Sequence, residues 1–438
     1  MTTVESREVP AGPDPVAVFR ALGGGEGSVL LERPEAPVRA IVGLDPTTIA
    51  VASGSVVHWT HGPLRPDLAD APLPELLSVV AGTPALCVLG NDAFRPAVHP
   101  ATAHSVLVFP SALICFEDDR IRLTAASPAR LDELTDLVTT AAPLPPLTFP
   151  APAPVTTFDS EIPDPAYREL LAAAHRRVAA GEARQVTISR RFAAPAVADP
   201  VTVYRALRAS NPSPYHFLLR LPGVTLVGAS PQGLISVQGR RASVPVIAGT
   251  RRRGADPAED DANAAELLAD PKERDEHAML VELARADLAA VAEPDSIRVN
   301  DGAPQVRRYA RVMHLVSEVA GTLAAGRTAI EALAAVLPAG TVAGTPRAAA
   351  LRLIDELEPR PRGLYGGGVG WLDGNGDLDC CLGIRTLQFR ADLAYCQAGA
   401  GVVADSDPDL EVRESRDKAS ALFASLEAAG RLGELGER

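Results

Sequence analysis

Cysteine, aromatic residues and long apolar runs are scarce in this sequence, and their scarcity narrows the classes of protein that it can be. The 5 cysteines among 438 residues form no CxxC pair and show no regular spacing, which argues against a disulfide framework and against a zinc site. No uninterrupted run of about 18 apolar residues occurs, and the N-terminus lacks the basic and then apolar pattern of a secretion signal. We therefore expect a cytoplasmic protein with reduced thiols and no membrane-spanning helix.

The charge of the chain limits its partners. A net charge of −13 repels phosphate backbones and anionic lipid surfaces, so we expect neither nucleic acid nor a membrane as a partner. A small anionic substrate would need local positive charge or a bound cation. Lysine is also nearly absent, since only Lys272 and Lys418 among 42 basic residues are lysines. Each is either a chance survivor of a bias toward arginine or a position that needs a compact point charge.

Proline marks the expected division of the chain. Residues 141–165 are dense in proline, which fixes φ and removes backbone donors, so they are predicted to form an extended connector. Residues 1–140 contain short apolar runs between glycines and prolines, which predicts a mainly β subdomain. In residues 166–430 strand-like segments alternate with helical periodicity, which favours an α/β fold of the α+β type. Helices are expected at 165–181, 201–210, 256–290, 326–337, 344–357 and 408–430.

A carboxylate pattern occurs twice. Glu273 and Glu276 are three residues apart, so on a helix they project from one face, and Glu411 and Glu414 repeat that spacing. Two such helices facing each other would present four oxygen ligands to a hard cation such as Mg²⁺. The same spacing is common on solvated helix faces, so by itself it leaves both interpretations open.

Two glycine clusters lie on strand-like segments, at 365–370 (YGGGVG) and 398–401 (AGAG). Glycine permits close approach of the backbone to a ligand and exposes N–H donors to an anion. Tight packing between strands would also account for both clusters. Neither fits a P-loop or a dinucleotide-binding fingerprint.

Seven motifs follow one another along the chain: IAGT at 247–250, PKERDEH at 271–277, VMHLVS at 312–317, PAGT at 338–341, RGLYG at 362–366, GIRT at 383–386 and QAGAGVVADS at 397–406. Taken together and in this order, they resemble the chorismate-utilising enzyme family and, within it, the synthase component of anthranilate synthase. The resemblance is dense from about residue 165 to about residue 425 and thin before residue 150. It implies antiparallel β-sheets packed as a sandwich inside a helical shell, with chorismate and Mg²⁺ bound between them.

The resemblance implies three sets of site residues. The metal would be held directly by Glu276 and Glu414, with Glu273 and Glu411 acting directly or through water. The substrate would be bound by side chains and backbone donors of four motifs: Ala248, Gly249, Thr250, Tyr365, Arg385, Gly399 and Gly401. Residues that act on the reaction or balance its charge would be Gln185, Gln232, His314, Thr341 and Lys418.

Two positions bear on the nucleophile that the resemblance implies. Gln185 stands where water-using isochorismate and salicylate synthases have a lysine base, and glutamine cannot deprotonate water, whereas ammonia needs no base. Ala248 stands where makers of 4-amino-4-deoxychorismate have a covalent lysine. The implied product is 2-amino-2-deoxyisochorismate, and His314 and Thr341 allow further conversion to anthranilate. A water-using synthase remains the alternative.

Partners follow from the same resemblance. No cysteine lies in a Gly-Cys-Gly setting, so ammonia would come from a separate glutamine amidotransferase subunit or from solution. A homo-oligomer is also allowed.

Two departures from the family pattern matter. The family has Ser-Pro-Glu where this chain has Ser-Pro-Gln232, and that glutamate protonates the departing hydroxyl. A chain without this acid is an impaired enzyme, a chorismate-binding subunit, a trapped variant or an enzyme with another proton source. Arg33 replaces the serine of a tryptophan feedback segment, so we expect weak or absent inhibition by tryptophan.

Overall fold

The computed structural model describes residues 5–53, 56–60, 62–64, 68, 72–79, 83–94, 104–147, 158–300, 304–309 and 312–436. Residues 148–157 of the expected connector lie outside these ranges. The described part of the chain is a mixed α/β protein, which confirms the predicted fold class. None of its helices is both long enough and apolar enough to cross a lipid bilayer.

The helices begin where the sequence supplies capping residues and proline. Asp199, Asp256 and Asp270 each accept hydrogen bonds from backbone N–H groups of the first helical turn, and a proline follows each of them. The described helices are α1 Pro15–Ala21, α2 Leu73–Val79, α3 Pro128–Thr140, α4 Asp164–Ala179, α5 Pro200–Ser210, α6 Pro257–Ala269, α7 Pro271–Ala289, α8 Ala329–Val336, α9 Gly340–Ala343, α10 Arg347–Leu357 and α11 Pro408–Gly436.

Two helix predictions need correction. The single helix expected at 256–290 is two helices, because Asp270 ends α6 in an extended conformation and caps α7, whose first residue is Pro271. The helix expected at 344–357 begins only at Arg347. Residues Gly344–Thr345 instead pair with Val186 and Gln185 as a short strand, and Pro346 separates that strand from α10.

The strands form one continuous network in which every described pairing is antiparallel. The strands are β1 Glu5–Pro10, β2 Val29–Glu32, β3 Val38–Ser53, β4 Val56–Trp59, β5 Ala85–Leu89, β6 His104–Glu117, β7 Arg120–Ala125, β8 Asp159–Ser160, β9 Gln185–Pro195, β10 Tyr215–Leu221, β11 Val224–Ser230, β12 Gly233–Gln238, β13 Arg241–Arg252, β14 Arg298–Val299, β15 Gln305–Arg308, β16 Val312–Thr322, β17 Gly344–Thr345, β18 Gly368–Leu372, β19 Leu378–Leu382, β20 Thr386–Arg390 and β21 Leu393–Val402.

Alternating side chains divide the interior into layers. On β10, Phe217 and Leu219 face a core built almost entirely from strand residues, whereas Leu218 faces a core shared with helices. A further core packs α7 and α8 against β12, β13 and β16. Sheet surfaces therefore pack on each other inside and on helices outside, in agreement with the expected sandwich.

The first 140 residues are hydrogen-bonded into the same network as the rest. Strand β2 pairs with β10, and β5 pairs with β18. The described part of this region contains seven strands and three helices. The domain boundary at the connector stays a prediction.

Candidate active site

Helices α7 and α11 carry the predicted metal-ligating glutamates. Glu273 and Glu276 lie in the first turns of α7, and Glu411 and Glu414 lie in the first turns of α11. Glu276 is solvent-accessible, yet partial burial and the negative charges of Glu273 and Glu414 raise its pKa. The structure therefore brings two glutamates from distant segments within electrostatic range of each other.

A second pair of neighbouring glutamates, Glu411 and Glu414, lies on α11. Burial and the neighbouring Glu414 raise the pKa of Glu411 to about 7, although Ser406 and Lys418 oppose that shift. Carboxylates that repel one another are relieved by a cation, and Mg²⁺ is bound by carboxylate oxygens. Among the described residues, no group of three or more His, Cys, Asp or Glu could hold a metal by itself. The residues present fit an Mg²⁺ site that uses one or two carboxylates together with a substrate oxygen.

Glu273 has a second partner. Arg251 donates from Nη1 to Glu273 Oε1 at 3.0 Å and also forms an ion pair with Asp270. A Cβ added to Gly249 would lie 3.0 Å from Glu273 Oε2, a close contact that the flexible end of the glutamate side chain can relieve. Gly249 has a φ of +69° at a bulge in β13, a conformation that glycine adopts without strain. Arg251 would compete with a metal ion for Glu273.

Lys418 joins α11 to the glycine segment of β21. Its Nζ lies 2.6 Å from Glu414 Oε1 and donates to the carbonyl oxygen of Gly399 at 2.8 Å. A flexible stem that ends in one compact charge can satisfy both contacts. One of the two lysines of the chain therefore lies beside the acidic cluster, the name used here for Glu273, Glu276, Glu411 and Glu414.

The predicted glycines of β21 also serve strand packing. A Cβ on Gly399 would lie 2.5 Å from the carbonyl oxygen of Ile188, and a Cβ on Gly401 would lie 2.9 Å from Gln185 Nε2. Both glycines pair with β9. Glycine is required here by the sheet, and its absence of a side chain leaves room for the Gln185 amide beside Gly401.

Arg385 is a cation without an acidic partner. Its backbone has a φ of +50°, which non-glycine residues rarely adopt. Its Nη1 donates to the carbonyl oxygen of Lys418 at 3.4 Å, and no described carboxylate lies within ion-pair distance. Burial lowers the pKa of Arg385, and the same cause raises the pKa of Tyr365 to about 12. Tyr365, Arg385 and Glu414 influence one another electrostatically, so these groups lie close together.

The remaining predicted residues form two smaller groups. His314 Nδ1 lies 2.9 Å from the carbonyl oxygen of Gly249 and 3.1 Å from Thr250 Oγ1, because β13 and β16 pair these positions. Ala248 is buried on the same strand. Gln232 precedes β12, and its Nε2 lies 3.5 Å from Oγ1 of Thr341, which is in α9.

Helix α7 connects the groups. Glu273 lies beside Gly249, and the charge of Glu414 acts on Glu276. The group formed by Gly249, Thr250 and His314 therefore adjoins the glutamates of α7 and α11. The sequence did not indicate three further polar contacts: Arg251 with Glu273, Arg362 with Glu358, and Arg347 with Asp287. Each joins side chains from separate turns or elements, and the only signal in the sequence is that Arg251 follows the IAGT motif and Arg362 begins the RGLYG motif.

Comparison with known proteins agrees with this architecture. Residues 83–424 match the family described as chorismate binding enzyme. Anthranilate synthase component 1 of Geobacillus stearothermophilus is 48% identical over 261 residues, covering 60% of this chain and 51% of that protein. The same component of Cereibacter sphaeroides is 39% identical over 368 residues, covering 78% and 73%. The matched part of the chain thus spans about half the length of the Geobacillus protein.

Solved structures give the same result. The crystal structure of anthranilate synthase component I from Streptococcus pneumoniae superposes with a TM-score of 0.76 at 30% identity, covering 87% of this chain and 91% of that one. The menaquinone-specific isochorismate synthase of Escherichia coli shares the fold, with a TM-score of 0.75 at 21% identity and coverage of 97% and 95%. The predicted resemblance is confirmed: the chain belongs to the chorismate binding enzyme family.

Proposed function

We propose that this protein is a Mg²⁺-dependent, ammonia-using enzyme that converts chorismate to 2-amino-2-deoxyisochorismate, with anthranilate and pyruvate as products of further conversion. The observation that carries the proposal is that Glu276 of α7 and Glu414 of α11 lie within electrostatic range of each other. Arg385, which has no ion-pair partner among the described residues, lies within electrostatic range of Glu414 as well. Chorismate has two carboxylates, and this arrangement offers one metal-assisted and one cationic contact for them.

The residues of this chain have separable roles in that reaction. Glu276 and Glu414 would hold the metal, which when bound supplies a Lewis acid for the ring carboxylate. Arg385 and Tyr365 would bind the enolpyruvyl carboxylate, since a guanidinium offers a planar two-point contact. Lys418 would balance the charge of Glu414 before substrate arrives, because its Nζ already lies 2.6 Å from that carboxylate.

The choice of nucleophile rests on Gln185. Its amide lies beside Gly401 and contains no basic group that could activate water. Ammonia carries its own lone pair, so it would add to carbon 2 without a base. A separate glutamine amidotransferase subunit would supply ammonia, and the Geobacillus and Cereibacter relatives are themselves named as component 1 of a synthase.

His314 would act in the later loss of pyruvate. The carbonyl oxygen of Gly249 and the Thr250 hydroxyl hold its ring, and the Tyr309 ring packs edge-on at 5.6 Å between centroids. A fixed imidazole can move a proton in the elimination that would yield anthranilate.

Mass analysis of the product tests the proposal directly. Purified protein with chorismate, Mg²⁺ and ammonium should yield 2-amino-2-deoxyisochorismate or anthranilate. Glu276→Gln should weaken the apparent Mg²⁺ affinity by more than about tenfold, which even the loss of an outer-shell partner can cost. Asp275→Asn, an exposed neighbour on α7, is the matched control and should leave it unchanged.

The alternatives give different products. A hydroxylated product that forms without ammonia would show a water-using synthase. Mg²⁺-dependent chorismate binding without turnover, even at high ammonium, would show the non-catalytic binding subunit that Gln232 raises as a rival.

A further inference from the structure

The proposed reaction needs a proton at a place where Gln232 cannot supply one. When ammonia adds to the ring, the C–O bond at carbon 4 breaks, and the departing oxygen must gain a proton to leave as water. A glutamine amide and the nearby Thr341 hydroxyl are poor acids near neutral pH. This step rests on the proposed function, and it leaves the source of the proton open.

A small cavity adjoins both of these side chains. Its volume is about 30 Å³, which is room for one water molecule. Its walls are apolar or glycine except for Gln232, Thr341 and Asp287. A buried water needs about two to four polar partners, and these three side chains can provide them. The cavity can therefore hold a water between Asp287 and Gln232.

Helix α7 explains why an aspartate reaches this cavity. Glu276, Leu280, Leu283 and Asp287 follow at spacings of three or four residues and share one helix face. Leu280 and Leu283 line the cavity, so it lies between the acidic cluster and Asp287. At the α-helical rise, Asp287 lies roughly 16 Å along the axis from Glu276. Thr341 is held nearby because Gly340 packs on Leu283, where a Cβ would lie 2.1 Å from Cδ2.

Asp287 has access to solvent on its other side. It also lines an open cleft of about 750 Å³ on the outer side of α7. Arg347, at the start of α10, forms an ion pair with Asp287, and burial raises the pKa of Asp287 to about 6 against that attraction. The charged side chains of the cleft are Arg184, Asp275, Glu282, Asp287 and Arg347.

We infer that Asp287 is the proton-supplying residue of this enzyme, and that it acts through one water in the cavity on the oxygen that leaves beside Gln232. The geometry carries the inference, because Asp287 lines both the small cavity beside Gln232 and the open cleft. Asp287 can therefore take up a proton from the cleft and pass it toward the reacting centre, and among the described residues that line the cavity it is the one carboxylic acid.

The proton balance closes. Asp287 gives its proton to the water, and the water gives one to the oxygen at carbon 4, which departs with the electron pair of the broken C–O bond. Ammonia forms the bond to carbon 2 with its lone pair and then releases one proton to solvent. Solvent reprotonates Asp287 through the cleft, so uptake equals release and no further reactant is needed.

A double-substitution cycle tests the inference. Asp287→Asn in the otherwise unaltered chain, which has Gln232, should lower kcat by about tenfold or more, within the range for loss of general acid catalysis. Gln232→Glu places an acid beside the leaving oxygen, so in that background Asp287→Asn should cost less than about twofold. Glu282 is an exposed residue of the same helix that lines the cleft but not the cavity. Glu282→Gln is therefore the control, and it should leave kcat unchanged in both backgrounds.

The pH dependence separates proton supply from support of the fold. A general acid works when protonated, so kcat at saturating free ammonia should fall as the pH rises through about 6 in the given chain. That limb should be absent in Gln232→Glu with Asp287→Asn. Activity of this double variant also shows that the loss of the Arg347 ion pair is tolerated by the fold.

Two outcomes would overturn the inference. Equal losses from Asp287→Asn in both backgrounds would mean that Asp287 only supports structure, and turnover by Gln232→Glu but not by the given chain would mean that Asp287 delivers no proton. If no variant converts chorismate, the proposed function itself fails, and the inference falls with it. The product assay distinguishes that case from the other two.

Discussion

Single residues decide how this chain departs from its relatives, and Arg33 is the clearest case. Its guanidinium forms an ion pair with Asp379 and lies 4.7 Å from the centre of the Tyr215 ring, while the Tyr215 hydroxyl donates to Asp379 at 3.1 Å. All three side chains line one cavity of about 840 Å³. We propose that this cavity is the amino-acid pocket that the resemblance implies, and that Arg33 crowds it.

We predict that micromolar tryptophan leaves chorismate turnover unchanged. The Arg33 side chain and its ion pair take up space and polar groups that an amino acid would need. Arg33→Ser should free that space and make turnover sensitive to tryptophan, which inhibition assays and tryptophan-dependent thermal shifts would measure. Arg39→Ser, which removes an exposed ion pair with Asp118, is the control. Inhibition of the unaltered chain at micromolar tryptophan would contradict the prediction.

The sequence allowed the paired glutamates to be predicted, but it did not allow the arginines that pair with Glu273 and Asp287 to be predicted. Helical spacing places Glu273 and Glu276 on one face whatever the rest of the fold does, because the period belongs to the helix. The pairing of Arg251 with Glu273, or of Arg347 with Asp287, depends on how separate segments pack. No local pattern encodes such contacts, so they became visible only in the structure.

At the scale of elements, one buried ion pair fastens α10 to the sheet. Arg362 and Glu358 have only 2% and 3% of their side chains exposed. Arg362 also donates to the carbonyl oxygens of Val342 and Thr187, and Glu358 accepts from the backbone N–H of Ser189 at 2.7 Å. The pair thus holds β9 and the segment before Tyr365 in one arrangement.

We predict that Arg362→Met destabilises the protein by about 3–5 kcal/mol, because it leaves the Glu358 carboxylate buried without its partner. Urea unfolding at neutral pH would measure the loss. Arg360→Met, which removes an exposed pairing with Glu161, should cost no more than about 1 kcal/mol. Equal losses of unfolding free energy for the two variants would show that the buried pair contributes no more to stability than the exposed pair.

Elements were predictable where they carry their own start and stop signals. Helix α5 was expected at 201–210 and spans Pro200–Ser210, since Asp199 and the following proline mark its beginning. The break within 256–290 was missed because the amphipathic pattern continues across Asp270. A capping aspartate before a proline was the signal that periodicity obscured.

At the scale of the whole molecule, the two sides of the proline-rich segment share one sheet network. Strand β2 lies against β10, and β5 lies against β18. The sequence indicates that both regions contain strands, but the choice of partner strands depends on contacts that are distant along the chain. Composition therefore predicted a boundary, and only the structure revealed the hydrogen bonds that cross it.

We predict that a chain starting at residue 158 does not fold cooperatively, because β10 and β18 lose the partners that β2 and β5 provide and the strand-built core opens. Size-exclusion chromatography and thermal unfolding would show aggregates or a broad transition. Removal of residues 1–10 is the control. It takes away only β1, which pairs with β7 among the described strands, and should leave a cooperative transition. Normal unfolding of the shorter chain would refute the prediction.

The separation of Glu276 and Glu414 along the sequence has a consequence for biosynthesis of the protein. Glu276 on α7 is translated long before Glu414 and Lys418, which lie together on α11. A nascent chain that has not yet reached α11, or one cut short before it, would therefore lack half of the proposed metal site. Competence for binding metal and substrate, as proposed above, would arise only when α11 has been made and has docked.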